Sequence, residues 1–336
     1  MTARVALRPA SLVDGVGREL TYLRVALTER CNLRCRYCMP NGLPANMRSG
    51  ELSPSELRLV GEVAGDLGVR RIRLTGGEPL MRADLPAVIE AFAGAPGIEE
   101  VSLTTNGLRL AERADDLARA GLSRVNVSLD TLQPDRYRLL AGRGGVERVL
   151  AGLEAAEAAG LSPIKVNVVA MRGVNDDELE ALARLTVDRP WHVRFIELMP
   201  VGTEPSGHRF FEKHFIPVAE MRDRLGPLES LPAELGGPAR LFRLPGARGK
   251  VGFIAPVSEH FCETCNRLRL TVDGQLRGCL FSDDGVSLRP ALARGDRAAV
   301  TALFREAAMH KPSGHSIGLS GAGGSVAAAA MAGIGG

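Results

Sequence analysis

Cys31, Cys35 and Cys38 lie in TERCNLRCRYCMP at Cys-x3-Cys-x2-Cys spacing, and three thiolates that close together can ligate three irons of a cubane cluster. Such clusters normally take four cysteines, so this loop leaves one iron open to a substrate or cofactor. The pattern reads as a catalyst rather than an electron carrier. Structural zinc needs a fourth ligand, and no further Cys or His lies in this loop. A disulfide framework suits small secreted chains. Here 336 residues, six cysteines and no signal-type leader fit a reducing cytoplasm.

A second triad, Cys262, Cys265 and Cys279, sits in HFCETCNRLRLTVDGQLRGCLF. A Cys-x2-Cys knuckle, a hairpin turned at Asp273 and Gly274 and a third cysteine suit either another open-iron cluster or zinc with His260 as fourth ligand. The presence of the first triad favours the cluster. Gly76 and Gly77, in LTGGEPLM, directly follow a strand-like run; glycines there let backbone approach a ligand closely, and an ordinary tight turn uses them too. Basic residues gather around strand-like runs: Arg24, Arg71, Arg73, Lys165 and Arg194, with Arg267 and Arg269 just past Cys265. Strand alternation puts Arg71 and Arg73 on one face. A guanidinium facing inward is costly unless an anion meets it. The group therefore points to a polyanion such as a phosphate chain, or to pairing with internal acids such as Glu78 or Asp130.

A repeating frame must position these residues. Apolar runs at 22–27, 70–74, 100–104, 124–129, 164–170 and 192–196 alternate with helical periodicity, the pattern of βα units building a parallel sheet. Ser53, Pro54 and Glu56 supply a cap, a first-turn proline and a capping-box acid, and Gly68 a stop. Further helices are expected over 85–92, 110–120, 146–159 and 177–185. Six units fall short of the eight of a closed barrel. The expected fold is α/β, an incomplete (β/α)6 TIM-type barrel whose open side is covered by a C-terminal iron-sulfur domain. Periodicity fades over 200–248 as Pro and Gly increase, which reads as a connector before a second ordered unit near Gly252. Residues 1–230 then form the partial barrel with the first cluster, and 231–336 the second-cluster domain and tail. From 313 onward the chain is rich in Gly, Ala and Ser, the composition of a flexible tail.

Composition narrows the function classes. With 45% hydrophobic and 4% aromatic residues the chain buries an aliphatic core, and no apolar run is long enough to span a bilayer. A net charge of +3 carries no polycationic signature of bulk nucleic-acid binding. Of the 42 basic residues only Lys165, Lys213, Lys250 and Lys311 are lysines.

The first triad with Tyr37 before its last cysteine, followed by Gly76-Gly77-Glu78-Pro79, resembles the radical S-adenosylmethionine superfamily. SLTTNG (102–107), NVSLD (126–130), KVNVV (165–169), RFIELMPVG (194–202), the second triad with NRLRL, and a terminal Gly335-Gly336 extend the likeness. From Arg24 to Gly336 the chain resembles the GTP 3',8-cyclase family, lyases of the first step of molybdenum cofactor biosynthesis. The resemblance implies two 4Fe-4S clusters, the first chelating the amino and carboxylate groups of S-adenosylmethionine. One-electron reduction then yields a 5'-deoxyadenosyl radical, which takes the 3' hydrogen of GTP. Carbon 3' attacks C8 to give 3',8-cyclo-7,8-dihydro-GTP.

By the same resemblance Tyr37, Gly77, Glu78, Ser128 and Met199 contact S-adenosylmethionine. Arg24, Arg71, Arg73, Thr104, Lys165, Arg194, Arg267, Leu268 and Arg269 hold GTP. The cluster at Cys262, Cys265 and Cys279 meets the guanine base. Gly335 and Gly336, together with Arg267 and Arg269, belong to the catalytic group that steers the substrate radical. An electron donor, a cyclic pyranopterin monophosphate synthase that receives the product and a second copy in a homodimer are the implied partners; nucleic acid and membrane are not. The stretch SGAGGSVAAAAMAG before the terminal glycines is blander than in relatives, and 41–50 lacks the aromatic residues often found there. Two other readings compete: a radical enzyme acting on a peptide or other small molecule, and a non-catalytic iron-sulfur or zinc protein.

Overall fold

Ser53 N donates to Glu56 Oε2 at 2.8 Å while Ser53 Oγ accepts from Glu56 N at 3.3 Å. This reciprocal capping box starts helix Pro54–Asp66 where the sequence places it. In the computed structural model, which describes residues 11–38, 50–200, 205–234, 237–315, 317 and 331–334, all six expected strands form. They are β1 (Tyr22–Ala26), β2 (Arg71–Thr75), β3 (Glu100–Thr105), β4 (Arg124–Ser128), β5 (Lys165–Ala170) and β6 (His192–Glu197). Helices Leu85–Ala93, Ala114–Arg119, Val146–Ala158 and Leu179–Asp188 fall on the expected segments.

The C-terminal third adds β7 (Glu229–Ser230), β8 (Arg240–Arg243), β9 (Lys250–Ile254), β10 (Arg267–Leu270), β11 (Gln275–Arg277) and β12 (Gly285–Ser287). One sheet contains them all, in the order β12-β11-β10-β1-β2-β3-β4-β5-β6-β9-β8-β7. Strand β10 runs parallel to β1 and β9 parallel to β6, so the C-terminal third extends the six-stranded core at both edges. Antiparallel pairs lie beyond, and the barrel stays open. Hydrogen bonding thus runs unbroken across residue 230.

Some segments differ from the sequence reading. The connector expected over 200–248 holds helices Pro205–His214 and Val218–Arg224 as well as β7 and β8. Those strands are short, and in β8 only Leu241 is buried, so they carry little apolar periodicity. Helix Pro134–Ala141 has no counterpart in the sequence reading, because it is short, carries charges at Asp135, Arg136 and Arg138 and buries only Tyr137, Leu140 and Ala141. Tail residues Met331–Ile334 form a helical turn whose Gly333 O accepts from Val272 N at 3.3 Å, and Ile334 is 1% exposed. A flexible tail therefore does not describe these four. Gly335 and Gly336 lie outside the described residues, as does most of 41–50.

Period-two alternation separates core from site. Leu23, Val25, Ile72, Leu74, Val125 and Val127 face the surrounding helices and are fully buried in the main core. The alternate positions are polar. Across β10, β1, β2 and β3 the register aligns Arg269, Arg24, Arg73 and Ser102. This row of the sheet's inner face is thus polar and mostly charged. No helix among the described residues is long and apolar enough to cross a membrane.

Candidate active site

The first cysteine loop leaves the carboxyl end of β1 and is seated on the turn after β2. Gly77 N donates to Thr28 O at 2.6 Å and Glu78 N to Arg30 O at 2.8 Å. A Cβ on Gly77 would lie 2.4 Å from Arg30 O, and Gly76 has φ +138° with Thr28 O 2.5 Å from its Cβ position. Only glycines fit this approach. The closeness that sequence reasoning assigned to a ligand is used first to dock residues 28–30.

Cys31, Cys35 and Cys38 line a cleft of about 1100 Å³ together with Tyr37, Gly77, Glu78, Ser128 and Met199, the whole set expected near S-adenosylmethionine. Glu78 is 1% exposed; its Oε1 accepts from Thr105 Oγ1 at 2.7 Å and Leu80 N at 3.0 Å, its Oε2 from Asn106 N at 2.7 Å. Burial raises its pKa against the pull of these donors. Tyr37 Oη donates to Asp130 Oδ2 at 2.7 Å, and Val169 N to Asp130 Oδ1 at 2.8 Å. Burial brings Asp130 up to about 6 in spite of both bonds. The two acids that might have neutralised the strand arginines are thus committed to these donors on the cofactor side.

Burial raises all three thiols, Cys38 to about 12. No cation among the described residues offsets it at Cys38, so a bound metal is what would ionise this triad. Three free, half-buried thiols opening on a cleft fit a cluster.

The second triad stands on the expected hairpin. Cys262–Thr264 forms a single turn, Cys265 N donates to Cys262 O at 3.1 Å, and β10 and β11 pair antiparallel around the turn at Gly274. All three cysteines line a cavity of about 990 Å³ with Arg24, Arg267 and Arg269. This cavity and the first cleft share Thr104, Asn167, Ile196 and Met199, so both triads open on one chamber. Burial would raise the Cys265 thiol, but Arg267 and Lys311 outweigh it and hold it at about 6. Lys311 Nζ lies 3.5 Å from Cys265 Sγ and donates to Arg267 O at 2.9 Å and Gly278 O at 2.6 Å, tying together the strands that carry the triad.

A third cavity, of about 960 Å³, continues the chamber past Arg24, Arg73, Arg194 and Arg267. Arg71, Arg124 and Lys165 also line it, and among the described residues the acids in its wall are Glu100 and Glu234. Burial and mutual repulsion bring Arg24, Arg73 and Arg194 down to about 9 and Lys165 to about 8. Arg24 Nε and Arg73 Nε are buried with no hydrogen-bond partner among the described residues. Arg194 Nη2 is aimed by Asn126 Oδ1 at 2.7 Å and Asn167 Oδ1 at 2.6 Å. Crowded, under-satisfied guanidinium groups fit a polyanion.

One expected contact is narrowed to the main chain. Leu268 alternates to the opposite face from Arg267 and Arg269, is 1% exposed and packs in the main core, so its side chain cannot reach the chamber. Sequence reasoning missed Arg124, Asn126, Asn167, Glu234 and Lys311. The asparagines could have been found: each sits in a quoted motif at the parity of an inward-facing neighbour.

Residues 25–186 match the model of the radical SAM superfamily and residues 191–317 that of the Molybdenum Cofactor Synthesis C family. A GTP 3',8-cyclase of Moorella thermoacetica is 48% identical over 308 residues, covering 90% of this chain and 94% of the relative. The chain belongs to the GTP 3',8-cyclase family. Another member, from Pelotomaculum thermopropionicum, is 47% identical over 311 residues with the same shares covered. Among solved structures, Streptococcus suis SuiB bound to S-adenosylmethionine superposes with a TM-score of 0.61 over 85% of this chain and 68% of that one. At 14% identity that likeness concerns the fold alone. Each family-model match contains one cysteine triad, and the chamber between the triads is built from both matched regions.

Proposed function

We propose that this chain is a radical S-adenosylmethionine lyase that converts GTP to 3',8-cyclo-7,8-dihydro-GTP, the first step of molybdenum cofactor biosynthesis. The observation that carries the reading is a single chamber with a cysteine triad at each of two walls and a basin of buried cations beyond them. Cys31, Cys35 and Cys38 would hold one 4Fe-4S cluster and Cys262, Cys265 and Cys279 a second. A cluster held at the first triad would supply, when reduced, the one-electron chemistry that S-adenosylmethionine cleavage requires.

The protein's own residues bind and orient. Tyr37, Gly77, Glu78, Ser128 and Met199 form the wall around S-adenosylmethionine. Arg24, Arg71, Arg73, Lys165, Arg194 and Arg267 take the triphosphate, with Arg194 held in place by Asn126 and Asn167. Thr104, Asn167, Ile196 and Met199, common to both clefts, line the passage where the ribose must lie, and Ile196 and Met199 give it an apolar side that helps keep water from the radical. The guanine base then faces the second triad and Arg269. The family resemblance assigns Gly335 and Gly336 to the same catalytic group. Labour divides near residue 230, with S-adenosylmethionine held before it and guanine after it. An electron donor, a cyclic pyranopterin monophosphate synthase taking the product, a homodimeric state and a cytoplasmic location complete the proposal.

A peptide substrate would leave the buried cation basin without an anion, which disfavours that alternative. Anaerobic incubation of the reconstituted protein with GTP, S-adenosylmethionine and a reductant tests the proposal: the cyclised nucleotide and 5'-deoxyadenosine should appear together. Cys31→Ala should abolish S-adenosylmethionine cleavage, and Cys279→Ala should impair GTP turnover more than cofactor binding. About eight irons per chain fit two cubane clusters; cleavage without a cyclised product would refute the substrate.

A further inference from the structure

His260, Cys262 and His315 each offer one donor atom, and the three atoms lie within 4.8 Å of one another. Sequence reasoning paired His260 with the cysteine triad; His315, on the segment after helix Arg297–Met309, had no assigned role. The imidazole rings lie 4.4 Å apart between centroids, and Phe281 packs its ring against His315 at 4.6 Å. Ring packing alone would explain that proximity, but two polar features go further.

His260 Nε2 lies 2.9 Å from Ile317 O. A carbonyl only accepts, so Nε2 carries the proton and Nδ1 keeps its lone pair. Metal-binding histidines have their tautomer fixed in this way. His315 Nδ1 is buried with no hydrogen-bond partner among the described residues. Burying such an atom unsatisfied is unfavourable, and ligation would remove the penalty.

The two segments are also braced as one unit. Arg18 Nη1 donates to Cys262 O at 2.6 Å and to Ser313 O at 3.0 Å, while its Nη2 donates to Pro312 O at 2.7 Å. A Cβ on Gly314 would meet Cys262 Cβ at 3.5 Å, so the segment carrying His315 lies directly against the cysteine. Arg18 is itself held by Asp14 at 2.6 Å. Donors of one tetrahedral ion stand roughly 3.3–3.8 Å apart when bonded at ordinary zinc distances. The three donors, all within 4.8 Å of one another, would draw closer on binding an ion.

We propose that His260, Cys262 and His315 form a mononuclear site for a borderline-soft divalent ion, zinc first among them, with water completing the tetrahedron. Two imidazoles and one thiolate are a donor set for zinc or cobalt rather than for magnesium or calcium. The site shares Cys262 with the proposed second cluster, so the ion and that cluster exclude each other. This exclusion rests on the two-cluster reading; the ion site itself does not. Zinc bound there would block assembly at the second triad and leave the first untouched.

Cobalt(II) titrated anaerobically into the full-length, iron-free chain reads the site directly. One equivalent should give a thiolate-to-cobalt charge-transfer band with tetrahedral d–d absorption. His260→Ala and His315→Ala should each weaken cobalt binding by at least about tenfold, and Cys262→Ser should remove the charge-transfer band. Cys279→Ala should leave both features in place. An unchanged spectrum in His315→Ala, or its loss in Cys279→Ala, would overturn the assignment in favour of a three-thiolate site.

Iron reconstitution supplies the second readout. A His315→Ala chain that loses cobalt affinity yet takes up its full iron supports the ion site; one that loses both overturns it. Zinc added before reconstitution should lower iron uptake from about eight to about four per chain in the wild type and not in His315→Ala. Full iron uptake beside retained zinc would overturn the shared-ligand claim. A wild-type chain that holds only about four irons without zinc would instead count against the two-cluster reading.

Discussion

Lys165 Nζ lies 3.0 Å from Glu234 Oε2, and the other carboxylate oxygen of Glu234 meets Lys250 Nζ at 2.9 Å. Burial raises a carboxylate, but the two lysines outweigh it and hold Glu234 at about 2, so it is ionised at every working pH. It occupies the cation basin as an internal anion, in the place where a nucleotide phosphate would meet Lys165. Glu234→Gln should therefore tighten GTP and pyrophosphate binding about threefold to tenfold, the scale of a partly exposed ion pair of ~1 kcal/mol. Isothermal titration measures this. Weaker binding by the variant would mean that Glu234 instead holds Lys165 ready for the nucleotide.

Nucleotide affinity should depend on alkaline pH through the same basin. Burial sets Lys165 near 8 and Arg24, Arg73 and Arg194 near 9 in the empty site. A bound polyphosphate favours their protonated forms, so binding takes up protons wherever the empty site has released them. Affinity should be full below pH 8 and fall as pH rises through 8 and 9. His192, lowered to about 4 by burial and Lys165, stays neutral throughout and contributes no slope. The empty chain should move the other way. With its folded pKa below that of the unfolded chain, Lys165 costs stability below pH 8, and the cost disappears as pH rises toward the unfolded value. GTP titrations from pH 7 to 10 test the first trend, and Lys165→Arg should delay its onset. A flat profile contradicts the placement of these cations in the nucleotide site.

Strands β1–β6 were legible because each buries one apolar face at period two and ends near a helix with its own stop and start signals. The pairing of β10 with β1 and of β9 with β6 was not, since Tyr22 and Arg267, or His192 and Lys250, meet by tertiary contact that no local pattern encodes. The same divide runs through the site. Both cysteine triads and the strand arginines announce themselves by spacing. Glu234, Lys311 and Arg18 matter only through what they touch, and each looks in sequence like an ordinary surface charge. Leu268 shows the limit of reading a motif residue by residue: its neighbours Arg267 and Arg269 face the chamber, and alternation sends its side chain into the core.

Gly77→Ala should unseat the first cysteine loop. The added Cβ would lie 2.4 Å from Arg30 O and 2.7 Å from Glu29 O, both backbone atoms that cannot swing aside as a side chain would. Overpacking of this kind costs about 1–3 kcal/mol, and relief requires moving residues 28–30, from which the triad hangs. Reconstituted iron should drop by about half, with the loss confined to the first triad. Electron paramagnetic resonance in the presence and absence of S-adenosylmethionine separates the first cluster from the proposed second, because only the first should respond to it. A variant with full iron and an unaltered response would show that the turn can shift without disturbing the cysteines.

Lys311→Met should change the proposed second cluster without removing it. The ammonium lies 3.5 Å from Cys265 Sγ and is one of the two cations that outweigh burial at this thiol. A positive charge beside the cysteine stabilises the more negative, reduced cluster, so its loss should lower the second potential by an amount on the order of tens of millivolts. Arg267 remains, which keeps the thiolate available and the iron content unchanged. The first triad lies across the chamber and should keep its potential. Lys311→Arg restores the charge and should restore most of the potential, a recovery that the ties to Arg267 O and Gly278 O alone would not produce. Redox titration followed by electron paramagnetic resonance measures all three values. An unshifted second potential in Lys311→Met would leave Lys311 as a brace between strands and nothing more.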